Sequence, residues 1–394
     1  MVMKRFFKVI RVVLVLFILA IGIVMIDIWS ALGKPAEGVR LERMERSPQY
    51  RDGRFVNPLP QHESAMWPIL KKWILAGNTF REPEAPLPVE VRLAEQFAAA
   101  PSDLRITWLG HATLLVEIDG RRILLDPVWG DYASPGRLFG VKRFFEPPLP
   151  LAALPPIDAV VLSHDHYDHL NEETIKALRD RVPRFIVPLG VGAHLEYWGV
   201  APERIVELDW WERVEVEGVE IVCTPARHFS GRSLIDRNAT LWASWAILGA
   251  DQRAFFSGDT GLFPGFSEIG MRLGPFDVTM MEVGAYNADW ADIHMGPEQA
   301  VQAHQMVRGA LMLPIHWGTF NLAFHSWIEP AERLLVAAEA AGIQVAIPRP
   351  GESIIPAAPP PVQPWWPELP WQTAEEAPIV SSGIPQRVIA PGAE

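Results

Sequence analysis

The stretch SHDHYDHL, from Ser163 to Leu170, places three histidines and two aspartates within eight residues. The whole chain of 394 residues contains 11 histidines, so this concentration is unusual. Burying imidazole and carboxylate groups without partners costs free energy and gains nothing for an apolar core. The same groups are good ligands for a metal ion. The stretch therefore predicts a metal site, and a solvated polar loop is the alternative.

The order of residues inside this stretch divides the potential ligands into two pairs. In an extended or tightly turning segment, His164 and His166 point the same way because side chains alternate with a period of two. Asp168 and His169 follow immediately. One metal ion can take the first pair and a second ion can take the other pair. Each ion then needs further ligands from elsewhere in the chain.

Three later segments place suitable side chains directly after apolar, strand-like runs. His228 stands in CTPARHFSG, Asp259 stands between glycines in FFSGDTG, and His316 stands in MLPIHWGT. Glycines beside Asp259 let the backbone turn sharply at that point. We expect these side chains to complete the two sets.

The predicted ligand set contains five histidines and two aspartates. One ion would be bound by His164, His166 and His228. The other ion would be bound by Asp168, His169 and His316, and Asp259 would bridge the two ions. Imidazole and carboxylate ligands suit zinc, with iron and manganese as alternatives. The sequence therefore predicts two zinc ions.

Strand and helix patterns mix along one long region around these residues. Apolar segments such as IDAVVLS, RFIVPLG and DVTMMEVG alternate with helical patterns such as NEETIKALRDRV and GPEQAVQAHQMV. RITWLGHATLLVEIDGRRILLDP is interpreted as two strands joined by a turn at Asp119 and Gly120. With 49% hydrophobic and 21% charged residues, the chain can build a sizeable core. This pattern predicts an α/β (α+β) fold with functional residues at strand ends.

The motifs together resemble the metallo-β-lactamase superfamily. The pattern H-x-H-x-D-H after a buried strand, followed by the later His, Asp and His, carries that resemblance. The chain is similar to one branch, the N-acyl-phosphatidylethanolamine-hydrolysing phospholipase D group, between about residues 104 and 330. The motifs that carry this closer resemblance are WLGHATLLVEIDG, LLDPVW, LSHDHYDHL, VELDWWE, FFSGDTG, GPFD, GAY and IHWGTF. The resemblance implies a four-layer αβ/βα sandwich with a dinuclear metal site at the sheet edges.

The resemblance also implies a reaction, the metal-dependent hydrolysis of a phosphodiester in a phospholipid or a related substrate. Two metal ions that share a water would lower its pKa, and the metal-bound hydroxide would attack phosphorus. Asp168 would be both a ligand and the carboxylate that steers this attack. His294, in DIHMGPEQA, matches a histidine near the active site of the branch and is the second catalytic candidate. His111, in GHAT, is expected to support the site.

Two other functions stay open at this stage. One is a lactone, lactam or thioester hydrolase of the same superfamily, and the other is a non-catalytic envelope protein. The remaining histidines are interpreted as ordinary surface or core residues: His62, His194, His304 and His325. A net charge of -12 argues against a nucleic-acid partner.

The first 33 residues predict a membrane anchor. Basic residues come first, at Lys4, Arg5, Lys8 and Arg11. An uncharged run of 15 residues follows from Val12 to Ile26, and as a helix it covers roughly 22 Å. Because the basic residues precede this run, the N-terminus should stay cytoplasmic and the rest should be exported, to the periplasm in a Gram-negative cell. A cleaved signal peptide that releases a secreted protein is the alternative.

We therefore predict four segments: 1–33 as the anchor or signal, 34–100 as an extension packed on the domain, 101–350 as the hydrolase domain, and 351–394 as a proline-rich tail. In the extension, MWPILKKWILAG predicts a short packed helix, with a lipid-facing element as the alternative. In the domain, VWGDYASPGRLFGVKRFFEPP offers Arg137, Lys142 and Arg143 to lipid phosphates, with ordinary surface packing of this loop as the alternative. Phospholipid and membrane are the expected partners. The oligomeric state stays open, with a homodimer as one option.

Overall fold

The computed structural model of the protein describes residues 2–61, 66–75, 79–98, 101, 103–138 and 140–383. The α-helices are α1 (Val2–Ile28), α2 (Val39–Glu45), α3 (Met66–Leu75), α4 (Glu172–Leu178), α5 (Gly192–Tyr197), α6 (Gly265–Leu273), α7 (Pro297–Met306) and α8 (Glu329–Ala341). Short 3₁₀ turns lie at Ala94–Phe97, Leu151–Ala153, Pro202–Arg204 and Ala288–Trp290.

The strands fall into two large sheets and a small hairpin. They are β1 (Tyr50–Arg51), β2 (Arg54–Phe55), β3 (Arg105–Trp108), β4 (Leu114–Ile118), β5 (Arg121–Leu125), β6 (Ala159–Val161), β7 (Phe185–Pro188), β8 (Ile205–Leu208), β9 (Arg213–Val216), β10 (Val219–Thr224), β11 (Ser244–Leu248), β12 (Arg253–Phe256), β13 (Phe276–Glu282), β14 (Gly309–Ile315), β15 (Gln344–Val345) and β16 (Ser353–Ile354). The first large sheet has seven strands in the order β16-β3-β4-β5-β6-β7-β8, and the second has seven in the order β15-β14-β13-β12-β11-β10-β9.

Each large sheet changes from antiparallel to parallel pairing along its width. In the first sheet β3, β4 and β5 pair antiparallel, and β5 through β8 pair parallel. In the second sheet β9 through β12 pair antiparallel, and β12 through β15 pair parallel. In each sheet the parallel strands end at a common edge, and loops from these two edges carry the predicted ligands.

The alternation of side chains along the strands builds a four-layer sandwich. In β4, Leu114 and Val116 belong to the core shared with the second sheet, whereas Leu115 points to the opposite core, under α4 and α5. Helices α6, α7 and α8 contribute residues such as Phe266 and Leu334 to the main core on the far side of the second sheet. The layers are therefore helices, sheet, sheet and helices, and the predicted αβ/βα sandwich is confirmed.

One predicted strand is in fact two strands. The segment before the Asp119–Gly120 turn breaks at Gly110 and His111, whose φ angles are 104° and 52°. The Thr113 backbone N–H donates to Gly110 O at 2.9 Å and closes a tight turn between β3 and β4. The prediction of one continuous strand was wrong because the apolar residues continue through the turn. The turn places the His111 side chain among the predicted ligands.

Among the described residues, one helix, Arg5–Ile28 within α1, is long and apolar enough to cross a membrane, and its most apolar part makes no buried contact with the domain. The chain after it is docked on the domain. The Lys34 backbone N–H donates to His194 Nδ1 at 3.0 Å, and Trp198 Nε1 donates to Ser30 O at 2.8 Å. A signal sequence has the same composition, so both interpretations of this segment remain predictions.

The proline-rich tail is packed on the domain as far as residue 383. Its Trp365 and Trp366 lie against Trp317, with ring centroids 5.3 and 5.5 Å apart, and Trp317 stacks in turn on Trp108 at 5.8 Å. The tryptophans thus pack the tail against the strand end that carries His316. Because Trp317 directly follows this predicted ligand, the tail helps to hold the ligand's backbone in place.

Candidate metal centre

The predicted ligands follow strands of both sheets and meet where the sheet edges face each other. The cluster 163–170 follows β6 of the first sheet. His228, Asp259 and His316 follow β10, β12 and β14 of the second sheet. Strand ends are suited to this role because the strands hold the backbone while the loops beyond them can turn toward one another.

The first group of side chains brings three histidines and one aspartate together. His166 Nδ1 lies 2.8 Å from His164 Nε2 and 3.3 Å from His228 Nε2. Asp259 Oδ2 lies 3.8 Å from His164 Nε2 and 3.8 Å from His228 Nε2. All four ligand atoms lie within 4.8 Å of one another, which is the arrangement needed to surround one small ion.

The second group forms around Asp168. Its Oδ2 lies 3.2 Å from His316 Nε2, 3.4 Å from His169 Nε2 and 2.9 Å from His111 Nε2. Because a carboxylate is only an acceptor, His111 donates a hydrogen bond to Asp168. The structure thus gives His111 a contact to a predicted ligand, as its position in the sequence suggested.

Asp259 lies between the two groups. Its Oδ2 is 3.0 Å from His316 Nε2 and 3.1 Å from His169 Nε2, in addition to its contacts with the first group. The side chain is almost fully buried, and its Oδ1 has no hydrogen-bond partner among the described residues. This position is the one that a bridging ligand requires.

Asp126 orients His169 and was missed in the sequence. It is fully buried, and its Oδ2 accepts hydrogen bonds from His169 Nδ1 at 2.6 Å and from Ser163 Oγ at 2.5 Å. With Nδ1 protonated, the His169 ring presents Nε2 to the centre of the site. A carboxylate behind a histidine in this way fixes the ring and its tautomer. The available signal was an aspartate directly after an apolar strand, in LLDPVW.

Glu282 orients the His294 ring, as Asp126 orients the His169 ring, and it was also missed in the sequence. It is the last residue of β13, and its buried Oε2 accepts from His294 Nδ1 at 2.8 Å. Backbone N–H groups of Thr260 and Met295 donate to its other oxygen at 2.8 and 3.1 Å. His294 Nδ1 lies 3.9 Å from Asp259 Oδ2. His294 and Glu282 form a third candidate ligand group together with Asp259 and His316, which belong to the other two groups.

The carboxylates of the site favour positive charge beside them. Burial would raise the pKa of the Asp168 carboxyl, but His169 and His111 hold it well below its usual range. Burial would lower the pKa of His316, but the Asp259 carboxylate raises it to about 10. By contrast, burial lowers the pKa of His111 to about 3, so this ring stays neutral. Protons or metal cations can supply the positive charge.

The donor set fits transition-metal ions. Imidazole nitrogens and carboxylate oxygens converge from several loops, and the inward His169 Nε2 and Asp259 Oδ1 have no hydrogen-bond partner among the described residues. Buried polar atoms without partners are costly unless something else satisfies them. The described residues thus form candidate metal-binding clusters, as the sequence predicted.

A cleft of about 910 Å³ opens over these clusters. His166, Asp168, Asp259, His294 and His316 line its floor. Its walls include apolar side chains from the N-terminal extension, from α3 and from loops of the second sheet: Val56, Leu59, Ile69, Phe229, Trp290, Ile293 and Leu322. The extension therefore shapes the space in which a substrate would lie.

The N-terminal extension also holds one ligand loop in place. Asn57 Nδ2 and Gln61 Nε2 both donate to the His228 backbone carbonyl, at 2.6 and 3.0 Å. Two hydrogen bonds to one carbonyl fix the backbone directly at a predicted ligand. The extension thus contributes to the site, although its sequence showed no sign of this contact.

The C-terminal tail reaches the same loop through the buried Arg227. This guanidinium pairs with Asp292 at 3.1 Å and donates to Pro60 O at 2.6 Å and to Ser382 O at 3.1 Å. Ser382 Oγ donates in turn to Asp292 Oδ2 at 2.6 Å. Since Asp292 precedes His294 by two residues, both ends of the chain are linked to the loops of the site.

The other histidines have contacts away from the predicted ligands. His194 lies 3.5 Å from Asp165, which is buried beneath the cluster, and His304 is 2.7 Å from Thr279 Oγ1 in the core. His325 stacks on Tyr286 with centroids 4.4 Å apart. His62 lies outside the described residues.

Arg143 is unsuited to the role that the sequence suggested for it. Its side chain is 6% exposed, and its guanidinium lies over Phe320 and Phe145. It therefore cannot reach the phosphate of a lipid at the surface. The prediction was wrong for this residue because a basic residue in a loop looks the same in sequence whether it is exposed or packed.

Comparison with known proteins agrees with the fold and the family that the motifs predicted. Residues 121–317 match the family model of the β-lactamase superfamily domain. An uncharacterised protein of Mycobacterium tuberculosis is 49% identical over 349 residues, which cover 86% of this chain and 92% of that protein. The N-acyl-phosphatidylethanolamine-hydrolyzing phospholipase D 1 of Caenorhabditis elegans is 38% identical over 264 residues, 64% of this chain and 74% of that protein.

A solved structure shares the fold at low sequence identity. The isothiocyanate hydrolase from Delia radicum gut bacteria is 22% identical, has a TM-score of 0.51, and is aligned over 64% of this chain and 98% of its own. Fold, ligand clusters and family match together define a metal-dependent hydrolase. The chain belongs to the metallo-β-lactamase superfamily, as its motifs predicted.

Proposed function

We propose that the protein hydrolyses a phosphodiester bond of a phospholipid, in the manner of a phospholipase D. The observation that carries the proposal is the cleft of about 910 Å³, whose lining combines apolar side chains with residues of the candidate ligand groups. Acyl chains suit such walls, and a phosphate suits the floor. The 38% identity to the phospholipase D of Caenorhabditis elegans supports the choice of a phosphodiester.

The cofactor in this proposal is a pair of zinc ions. His164, His166 and His228 would hold one ion, Asp168, His169 and His316 the other, and Asp259 would bridge them. Bound there, the ions would activate a water and neutralise charge on the phosphoryl oxygens. Asp126 keeps the His169 ring in the orientation that ligation needs.

Two residues of the cleft take part in the proposed reaction beyond ligation. Asp168 lines the cleft floor, and its carboxylate would accept a proton from the attacking water. Glu282 holds the Nδ1–H of His294, so Nε2 is the ring nitrogen left for the substrate. The water oxygen would become bonded to phosphorus as its proton passes to Asp168. The bond between phosphorus and the head-group oxygen would break, and a proton delivered by His294 Nε2 would complete the leaving alcohol.

The proposed location is the membrane. Helix α1 would be a single-pass anchor with its N-terminus in the cytoplasm and the hydrolase domain outside it. The exposed, apolar α1 and the docking of the chain just after it support this arrangement. The anchor would keep the cleft close to its lipid substrate.

A comparison of substrates tests the proposed reaction. The purified, metal-loaded protein should hydrolyse phospholipid and a model phosphodiester, and its rates on a lactone and a β-lactam should be at least about 100-fold lower, because His294 is placed for a charged phosphoryl group. Initial rates on the four substrates under one condition provide the measurement. Rapid lactone or lactam cleavage without phosphodiesterase activity would refute the proposal and leave the family assignment unchanged.

Replacing His294 by alanine should lower kcat on the phosphodiester by about 10² to 10⁴, the usual contribution of a positioned acid–base group. Bound metal should stay close to the wild-type amount, because His294 lies outside the proposed ligand set. Metal analysis and turnover on the same preparation check both statements. The matched control is His325→Ala, which removes a half-buried histidine that stacks on Tyr286. Loss of metal in His294→Ala would instead show that this residue is a ligand.

A further inference from the structure

The loop between β10 and β11 carries two adjacent apolar residues in nearly full contact with solvent. Leu234 is 99% exposed and Ile235 is 86% exposed. Single exposed apolar residues are normal on protein surfaces. Two neighbouring branched aliphatic residues at the tip of a loop have no packing role within the domain. Burying them would need a contact with something outside the domain.

The base of this loop is well fixed. The Asp236 carboxylate accepts hydrogen bonds from the backbone N–H groups of Arg232 and Ser233, at 3.1 and 2.7 Å. The Gly231 N–H donates to the buried Asp165 at 2.7 Å. The domain therefore presents Leu234 and Ile235 on a closed, hydrogen-bonded turn.

This loop lies beside the end of α1. Arg232 Nε donates to Ala31 O at 2.8 Å, and its guanidinium packs on Tyr167 and Trp198. Leu234 follows two residues later, so the exposed loop tip belongs to the loop that Arg232 ties to the chain just after α1. A bilayer that α1 spans would therefore lie next to this loop.

A second loop also places apolar surface next to α1. The Arg137 backbone N–H donates to Asp27 Oδ2 at 3.3 Å, and the next residue, Leu138, is 61% exposed. Trp29, just after α1, is 63% exposed and is of the type that favours the membrane interface. We call Trp29, Leu138, Leu234 and Ile235 the membrane-facing patch.

The cleft begins next to this patch. Phe229, Arg237 and Asn238, on either side of the loop tip, line the cleft above the ligand clusters. The Arg237 guanidinium stacks on the Phe229 ring at 4.2 Å. A surface that receives Leu234 would therefore also face the mouth of the cleft.

We propose that Leu234 and Ile235 insert into the bilayer that α1 spans and hold the mouth of the cleft against the lipid surface. The occupant of the patch is thus the lipid bilayer itself. This inference rests on the proposed function, since it assumes an uncleaved anchor and a lipid substrate. It adds a second membrane contact, which fixes the orientation of the domain.

Fluorescent labelling in vesicles tests the insertion without any substrate. A Leu234→Cys variant of the full-length protein accepts an environment-sensitive fluorophore selectively, because the native Cys223 is fully buried. The matched control is Met271→Cys, which is 73% exposed in the last turn of α6, at the opposite edge of the sheet. Both are reconstituted into vesicles of phosphatidylethanolamine and phosphatidylglycerol.

The label at position 234 should shift to blue emission and be quenched by brominated lipids, whereas the label at position 271 should be quenched only by aqueous iodide. Equal quenching by iodide at both positions would overturn the inference. So would a label at 234 that is protected from iodide but insensitive to brominated lipid, since that result indicates a protein partner.

Turnover separates this inference from the proposed function. The double variant Leu234→Ser, Ile235→Ser should lose activity several-fold on vesicle phospholipid and keep wild-type activity on a short-chain, monomeric phosphodiester. Equal activity of variant and wild type on vesicles would contradict the inference. If the protein cleaves no phosphodiester at all, the proposed function fails, and the fluorescence result still decides whether the loop inserts.

Discussion

Replacing Asp259 by alanine should remove most of the bound metal and nearly all hydrolase activity. Asp259 Oδ2 lies 3.1 Å from His169 Nε2 and 3.0 Å from His316 Nε2, both in the second ligand group. It also lies 3.8 Å from His164 Nε2 and from His228 Nε2 in the first group. Among the described residues, Asp259 belongs to two of the three candidate ligand groups. Loss of an outer-shell partner costs about 10- to 100-fold in metal affinity, so loss of a bridging ligand should cost more than about 100-fold.

Metal analysis of the purified variant, together with its turnover, provides the measurement. The wild type should carry close to two equivalents of a transition metal, most of it zinc, and Asp259→Ala should carry clearly less than one. Asp251→Ala is the matched control, because Asp251 is exposed in the turn between β11 and β12 and should keep both metal and activity. A fully active Asp259→Ala protein with an unchanged metal content would rule out the proposed bridge.

Sequence reasoning could locate the predicted ligands because they interrupt strong patterns. His228, Asp259 and His316 each follow an apolar strand, where a change from apolar to polar residues is easy to detect. Parallel strands end at one edge, so side chains that are far apart in sequence can be expected to meet. The cluster at 163–170 stood out by composition alone. These are the features by which a metal site differs from a core.

The residues that were missed act through other residues. Asp126 and Glu282 also follow or end strands, yet a single carboxylate at a strand end is common in exposed loops. Their importance depends on a hydrogen bond to one ring nitrogen of His169 or His294, and no pattern in the sequence records such a bond. The turn at Gly110 and His111 escaped prediction because the apolar residues on both sides of it continue the strand pattern.

The two ends of the chain show the same limit. The extension and the tail are rich in proline and lack a periodic apolar pattern, so the sequence predicted little about where they lie. In the structure Asn57 and Gln61 hold the backbone of His228, and Ser382 is tied to Asp292. These are single polar contacts between distant segments. The division of the chain at residues 33, 100 and 350 stays a prediction.

Replacing Asp168 by asparagine should cut the rate of hydrolysis by about 10² to 10⁴, a range typical of losing a positioned acid–base group, while the fold is retained. The substitution keeps the shape of the side chain but removes its negative charge. In the wild-type protein, Asp168 Oδ2 lies within 3.4 Å of the Nε2 atoms of His111, His169 and His316. An amide cannot accept as strongly from these groups, nor take a proton from water at the cleft floor.

Steady-state turnover and thermal unfolding of the same preparation distinguish a chemical effect of Asp168→Asn from a structural one. kcat should fall while the melting temperature changes little, because the side chain lies at the cleft floor and is outside the hydrophobic clusters. Asp180→Asn is the matched control, because this exposed residue after α4 pairs with the neighbouring Arg179 and should leave both quantities unchanged. If Asp168→Asn kept the wild-type kcat, its carboxylate would have no role in the reaction. The proton would then have to go to another group lining the cleft, and His294, held by Glu282, would be the first candidate.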